Sequence, residues 1–106
     1  MFDKLEVFKK RNDEINKMLY DPNIVSDQEK YKALMKEQKN LIPIVEKYDE
    51  YKKAKNNAEE AKQLLNDGGL DKDFKEMVET ELEESRAAIE KISDELKILL
   101  LPKDPN

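Results

Sequence analysis

Carboxylates are the side chains in this sequence best able to do chemistry, and one acidic stretch, DGGLDKDFKEMVE at residues 67–79, contains five of them beside two glycines. Such a run suggests a calcium-binding loop, in which acidic ligands alternate around a glycine at the sixth position. Counted from Asp67 the sixth residue is Lys72, and counted from Asp71 it is Glu76. Because the sharp turn at that position needs glycine, we interpret the stretch as a solvated, acidic helix start and predict no metal site.

Pairs of carboxylates for general acid–base catalysis also occur, Glu83 and Glu84 among them, but a chain with 25 acidic residues contains such pairs inevitably. A catalytic pair needs a pocket that shifts the pKa of one partner, and a helical hairpin offers none. The absence of cysteine and histidine excludes disulfides, thiolate or imidazole catalysis and ordinary zinc sites. We therefore predict no enzyme activity and no catalytic, cofactor-binding or metal-binding residues.

Two small basic clusters could contact RNA, namely Lys9–Arg11 (KKR) and Tyr51–Lys55 (YKKAK), the second beside an aromatic ring. The formal net charge of -5 argues against binding nucleic acid by bulk electrostatics. We interpret both clusters as charged helix faces balanced by nearby acids. Tyr31, Tyr48 and Tyr51 are expected at the edge of the core, with their hydroxyl groups at its rim.

The composition favours long helices. Charged residues make up 42% of the 106-residue chain and apolar residues 38%, while glycine occurs twice and proline four times. No apolar run is long enough to span a membrane, and the opening MFDKLEVFKK has no signal-peptide pattern. We expect one all-α domain, residues 1–106, in the cytoplasm.

Apolar residues recur at three- and four-residue steps, which predicts helices at about residues 3–20, 27–66 and 71–101. The predicted core-facing positions are Leu5, Phe8, Ile15, Met18 and Leu19 in the first helix; Tyr31, Leu34, Gln38, Leu41, Val45, Tyr48, Tyr51, Ala54, Ala58, Ala61 and Leu65 in the second; and Val78, Leu82, Ser85, Ile89, Ile92, Leu96 and Leu99 in the third.

The helix ends carry recognisable signals. Residues 21–23 (DPN) predict a turn, and Ser26 with Glu29 predicts a capping box for the second helix. Gly68 is expected in the left-handed conformation that closes that helix. Pro43 lies inside it and is expected to kink the helix rather than break it, because the apolar pattern continues through the site without a slip.

Short connections make consecutive helices antiparallel neighbours. The second and third helices then form a long hairpin, and the short first helix packs at its base in a three-helix, coiled-coil-like bundle. Straight helices place Phe8 near Lys39 and Leu5 near Ile42. The expected three-helix core is Phe2, Leu5 and Phe8 with Leu41, Ile42 and Val45 and with Ile92, Leu96 and Leu99. Ile98 and Leu101 are expected to be buried where the first helix crosses the third. Leu100 is then the one apolar residue of this run without an expected core contact.

Four stretches resemble the start of bacterial class I peptide chain release factors: MFDKL, DPNIVSDQEKY, LIPIVEKY around Pro43, and LLLPKDPN. The last points to the branch of that family that reads the stop codons UAA and UAG. The sequence contains no Gly-Gly-Gln and no Pro-X-Thr, so the resemblance is to the N-terminal helical domain only, without the codon-reading and Gly-Gly-Gln domains.

The resemblance implies a role in translation termination as a non-catalytic docking arm. The implied partners are the stalk base of the large ribosomal subunit and the class II release factor GTPase. Binding to a membrane or to a specific nucleic acid sequence is not expected. Self-association is a further option, through a surface exposed by truncation. Two alternatives stay open: a free-standing spectrin-like repeat or chaperone-type coiled coil, and a tRNA-binding helical arm, which calls for a basic stripe.

Overall fold

Four α-helices make up the computed structural model, which describes residues 2–102: α1 (Phe2–Met18), α2 (Pro22–Val25), α3 (Gln28–Asp67) and α4 (Lys72–Leu99). The described residues contain no β-strand, so the prediction of an all-α fold is confirmed. They fall into two compact units, one ending at Tyr48 and the other beginning at Asp49, with the boundary inside α3.

The first unit is built from α1, α2 and the N-terminal part of α3. Its core cluster joins Ile15 of α1 to Leu34 and Leu41 of α3. Half-buried apolar side chains pack around this cluster: Phe8, Met18, Leu19 and Ile24. These are the apolar faces predicted from the three- and four-residue spacing, since residues so spaced share one side of a helix.

A short helix, α2, replaces the turn predicted at residues 21–23. The side chain of Asp21 caps it by accepting a hydrogen bond from the backbone N–H of Asn23 at 2.9 Å, and Pro22 occupies the first turn. Proline fits there because the missing N–H has no partner inside a helix anyway. The connection between α1 and α3 is therefore longer and more ordered than a tight turn.

The predicted capping box at Ser26 is wrong. Asp27 caps α3 instead, because its Oδ1 accepts a hydrogen bond from the backbone N–H of Lys30 at 3.2 Å. Ser26 keeps helical dihedral angles as the residue that caps the C-terminal end of α2, with φ -78° and ψ -13°, and its hydroxyl donates to the carbonyl of Asn23. A capping residue needs extended dihedral angles, so Ser26 cannot start the next helix while it ends α2.

The antiparallel packing of α1 on α3 is confirmed, but the predicted register is shifted. Arg11 binds Glu37, Asn16 accepts a hydrogen bond from Gln38, and Glu6 accepts one from the Tyr48 hydroxyl. The Arg11–Glu37 contact agrees with the predicted register to within one residue, whereas the other two contacts place α1 about two helical turns further along α3. The prediction assumed a tight turn between the helices, and α2 occupies that connection instead.

Helix α3 continues unbroken through Pro43, which is exposed. The alternative of two separate helices is therefore wrong, while the expected kink stays a prediction. Tyr31 lies at the N-terminal end of the predicted row and is 36% exposed, and Leu65 at the other end is half-buried. The nine intervening positions of the row are all buried: Leu34, Gln38, Leu41, Val45, Tyr48, Tyr51, Ala54, Ala58 and Ala61.

The second unit is an antiparallel hairpin of the C-terminal part of α3 and α4. Its core cluster contains Ala58 and Ala61 from α3 with Val78 and Leu82 from α4. The alanine side chains are small, so the facing helix can approach closely. Helix α4 buries the predicted positions Val78, Leu82, Ser85 and Leu96.

The apolar run that ends α4 is less buried than predicted. Ile98 and Leu101 are 67% and 64% exposed, and Leu99 is 37% exposed. Ile98 points roughly 160° away from the buried Leu96 on α4, and Leu101 follows the end of that helix, so the face that buries Leu96 does not bury them.

Phe2 and Ile42 are also more than one-third exposed, which contradicts their predicted place in the core. The expected core in which all three helices meet stays a prediction. Leu5, Leu41 and Leu96, which belong to it, are each buried. The last four residues of the LLLPKDPN motif, residues 103–106, lie outside the described residues.

Candidate protein-docking surface

The loop between α3 and α4 is shaped by two consecutive glycines. Gly68 and Gly69 have φ angles of 71° and 75°, in the left-handed region that L-amino acids with side chains rarely adopt. A Cβ atom added at either position would meet no atom within 4 Å. Backbone conformation rather than lack of space therefore requires glycine here, which confirms the prediction for Gly68.

Polar side chains hold both helix ends next to this loop. The side chain of Asp71 caps α4 by accepting a hydrogen bond from the backbone N–H of Phe74 at 2.8 Å. At the end of α3, Gln63 donates to the Asp67 carboxylate at 3.0 Å. The predicted start of the third helix near Asp71 is confirmed, and both acidic side chains have local structural tasks.

Three large apolar side chains near the loop stay exposed: Leu64 (41%), Phe74 (40%) and Met77 (60%). We call these three residues the loop-end surface. Leu65 and Leu70, by contrast, pack against the buried cluster of the hairpin. The loop-end surface was not predicted from the sequence, although a signal existed: all three residues are apolar and lie outside the predicted core-facing rows.

Charged side chains surround the loop-end surface, and acids outnumber bases among them. The exposed charged residues next to it in sequence are Asp67, Asp71, Lys72, Asp73, Lys75 and Glu76. An apolar centre with a polar, solvated rim is the usual anatomy of a protein–protein contact. The arrangement suits binding to another macromolecule, and it contains no nucleophile poised beside a base.

An arginine–carboxylate ion pair joins α1 to α3 in the first unit. The Arg11 guanidinium donates two hydrogen bonds to the Glu37 carboxylate, at 2.6 and 2.9 Å, and lies 3.6 Å from Glu14. The hydrogen bond from Arg11 lowers the pKa of the Glu37 carboxyl group, and the same bond raises the pKa of Arg11. Both groups thus stay charged near neutral pH, and the ion pair between them connects α1 to α3.

The residues considered for chemistry do not come together in one place. Glu83 and Glu84 are exposed on α4. Within residues 2–102, no three acidic side chains are grouped in a way that could hold a metal ion. No helix of the described part is both long and apolar enough to cross a membrane.

The two basic clusters have different surroundings. In the first, Arg11 is bound to Glu37. In the second, the ring of Tyr51 is buried, which leaves it unable to stack on a base. Tyr48 is also buried and donates its hydroxyl to Glu6. Tyr31 is the exception to the predicted core-edge placement, since it is exposed.

Comparison with known proteins places this helical architecture in a family. The sequence model described as the PCRF domain matches residues 8–106. The chain belongs to the PCRF domain family. The whole of this PCRF domain also aligns with proteins named peptide chain release factor 1: it is 46% identical to the one from Caldicellulosiruptor saccharolyticus, 51% to that from Acetivibrio thermocellus and 42% to that from Lactococcus lactis subsp. lactis.

The predicted resemblance to release factors, and to their release factor 1 branch, is confirmed by these matches. The PCRF domain chain spans 30%, 29% and 30% of the lengths of these three relatives. No solved structure matches the chain significantly.

Proposed function

We propose that this chain acts in translation termination, as the non-catalytic docking arm of a class I peptide chain release factor. The similarity of the whole chain to proteins named peptide chain release factor 1 carries the proposal. In this proposal the parent protein reads the stop codons UAA and UAG and promotes hydrolysis of peptidyl-tRNA in the cytoplasm. Both tasks belong to its codon-reading and Gly-Gly-Gln domains.

The proposed docking contact is the loop-end surface of the second unit. Its exposed apolar side chains stand beside a loop whose backbone is restricted by two helix ends and a capping aspartate. A contact on such a restrained support loses little conformational entropy on binding. We propose that it binds the stalk base of the large ribosomal subunit, with the class II release factor GTPase as a second partner of the arm.

The test uses the full-length parent protein with Phe74→Glu and Met77→Glu in the loop-end surface. Peptide release is measured on reconstituted termination complexes as a function of factor concentration, with UAA, UAG and UGA in the decoding site. We expect KM to rise about tenfold or more, as for the loss of an interface anchor, with kcat nearly unchanged. Release is expected at UAA and UAG only.

The matched control is Val7→Glu with Val25→Glu, which places the same two charges at apolar positions of the first unit that are 63% and 52% exposed. It is expected to leave KM unchanged. If the loop-end variants behave like the wild-type protein while full-length release activity is intact, the docking role of this surface is wrong. Release at UGA equal to that at UAA would contradict the proposed codon specificity.

A further inference from the structure

A second apolar surface lies on α3 in the first unit and shares no residue with the loop-end surface. Tyr31, Met35 and Ile42 are 36%, 43% and 38% exposed. Their spacing of four and seven residues places them on one side of the helix. We call these three residues the outer stripe. It runs beside the buried row that contains Leu34 and Leu41 and belongs to a different side of α3.

Three exposed lysines follow the outer stripe along the helix. Lys32, Lys36 and Lys39 are spaced by four and three residues, so they form a parallel row on the neighbouring side of α3. Among residues 2–102, none of these three ammonium groups has an ion-pair partner. The row is a local exception on a chain whose formal net charge is -5.

Nearby acids do not neutralise the lysine row. Glu37 is bound by the Arg11 guanidinium through two hydrogen bonds on the side of α3 that faces α1. Glu29 lies in the first turn of α3, at the N-terminal end of the row. The lysine charges are therefore available to a partner.

The two rows meet in an open depression of about 530 Å³, lined by Met35, Lys36, Gln38, Lys39 and Ile42. Gln38 at its floor is buried and donates a hydrogen bond to Asn16 of α1. The packing of α1 thus holds the floor in place, while the side chains at the rim remain exposed. A depression of this form can accept the apolar ridge of an approaching helix.

We propose that the outer stripe and the lysine row bind an acidic amphipathic α-helix of a partner protein. Apolar side chains of that helix, spaced by three and four residues, would lie against Tyr31, Met35 and Ile42. Carboxylates one position along it would then face Lys32, Lys36 and Lys39, as flanking charges do in coiled coils. The matching periods of the two rows on α3 support a helical partner.

Charge and polarity decide between this partner and two others. RNA would pair its phosphates with the lysines, but its charged backbone would make no favourable contact with the apolar side chains of Met35 and Ile42. A second copy of this chain carries the same net charge of -5, so its approach is opposed by long-range repulsion. The inference rests on the first unit alone and does not depend on the proposed function of the loop-end surface.

The probe is a synthetic helical peptide of roughly 20 residues, with leucines on one stripe and glutamates beside them. It is titrated into the 106-residue chain while amide chemical shifts are followed by NMR. We expect shifts centred on residues 31–42 and saturable binding in the micromolar range. Met35→Glu with Ile42→Glu should raise the Kd at least about tenfold, as expected for central anchor residues.

Matched variants separate the outer stripe from general surface effects. Val7→Glu with Ile98→Glu changes two exposed apolar residues that belong to neither the outer stripe nor the loop-end surface and is expected to leave the Kd unchanged. Circular dichroism should show the same helix content in all variants, since each substitution is at an exposed position. Equal weakening by both pairs would overturn the assignment of the peptide to the outer stripe.

A charge exchange tests the lysine row. The triple variant Lys32→Glu, Lys36→Glu, Lys39→Glu should lose affinity for the glutamate peptide and gain affinity for a peptide with lysines in place of its glutamates. Changing three other exposed lysines to glutamate gives the same net charge and should not reverse the preference; suitable positions are Lys53, Lys75 and Lys91. An unchanged preference in the first variant would overturn the proposed charge complementarity.

Three further outcomes would overturn the proposal. One is the absence of chemical shift changes with the glutamate peptide up to about 1 mM, the limit of weak binding. Another is binding of a short single-stranded RNA that needs the lysines but not Met35, without peptide binding. The third is a chain that does not bind the peptide and instead forms a dimer in sedimentation experiments, if Met35→Glu abolishes that dimer.

Discussion

Arg11 and Glu37 show how much a single pair of side chains contributes to joining two helices. Their two hydrogen bonds are short and parallel, which is the favourable geometry for a guanidinium and a carboxylate. Both side chains are more than one-third exposed, however, so water and salt screen their attraction. The pair positions α1 on α3 more than it stabilises the fold, and the apolar cluster around Ile15 and Leu34 supplies most of the free energy of packing.

Glu37→Gln should make the stability of the protein less dependent on pH. Arg11 lowers the pKa of Glu37 below its ordinary value of 4.5. A carboxyl group with a lowered pKa in the folded state stabilises the fold fully above its unfolded pKa, and this contribution disappears as the pH falls through the folded pKa. We expect wild type to exceed the variant in free energy of unfolding at neutral pH, with the difference vanishing in acid.

Urea unfolding at several pH values and two salt concentrations measures that difference. Glu14→Gln is the control, because Glu14 lies further from Arg11, at 3.6 Å, and should give a smaller effect. High salt should reduce the difference for Glu37→Gln. A difference as large at about pH 2.5 as at pH 7 would contradict the assignment to the ionised carboxylate.

Asn12 is expected to cost stability, because its side-chain oxygen is buried and has no hydrogen-bond partner. Asn12→Leu removes that oxygen while keeping the number of side-chain heavy atoms and the branching at Cγ, so the free energy of unfolding should rise by about 1 kcal/mol. Asn16→Leu is the matched control on the same helix. It removes the acceptor that Gln38 uses, so it should destabilise the fold. Denaturant unfolding that shows both variants less stable than wild type would contradict the prediction for Asn12.

At the scale of elements, α3 stays continuous because the packing of its side chains offsets the free-energy cost of a proline inside the helix. Pro43 lacks an N–H group and costs about 3 kcal/mol in a helix interior. Buried side chains on both sides of it, including Leu41 and Val45, fix the helix against its neighbours in spite of that cost. Helical proteins commonly gain most of their stability from such packing rather than from intrinsic propensity.

Gly68→Ala should destabilise the hairpin of α3 and α4 by about 1–2 kcal/mol, the usual cost of a left-handed conformation for an L-residue. No steric clash contributes, since a Cβ would meet no atom within 4 Å. Chemical ligation of the chain with D-alanine at position 68 should therefore restore or exceed the wild-type free energy of unfolding. If L- and D-alanine lower stability equally in thermal unfolding, the positive φ angle is not the cause.

At the scale of the whole molecule, function depends on surfaces. The two units each have a compact core, and each presents exposed apolar side chains beside charged ones. Such combinations bind partners, while catalysis needs a closed site that changes the pKa of a reacting group. The two binding roles proposed for this PCRF domain rest on these surfaces.

The isolated 106-residue chain should show no stop-codon-dependent peptide release, since the proposed role is docking only. Added in excess, it should compete with the full-length release factor and lower the rate of release. The Phe74→Glu/Met77→Glu chain is the control and should compete more weakly. Peptide release by the isolated chain above the rate without any factor would contradict the division of roles.

The sequence alone determined the three predicted helices and most of their buried positions, while α2 was not predicted. Leu34 to Ala61 lie at the predicted positions because a helix repeats its geometry locally, every 3.6 residues. The positive φ of Gly68 followed from local chemistry in the same way. The family resemblance was also present in short motifs of the sequence, and the comparisons confirmed it.

Only the tertiary structure decided the register between packed helices and which apolar residues stay exposed to solvent. The contact of Asn16 with Gln38 depends on the ordered path of α2, which a register argument from loop length could not include. Met35 and Met77 look like core residues in composition, yet they are exposed because the facing helix covers only one side of each. Periodicity is a property of one helix, whereas register and exposure depend on the approach of a second.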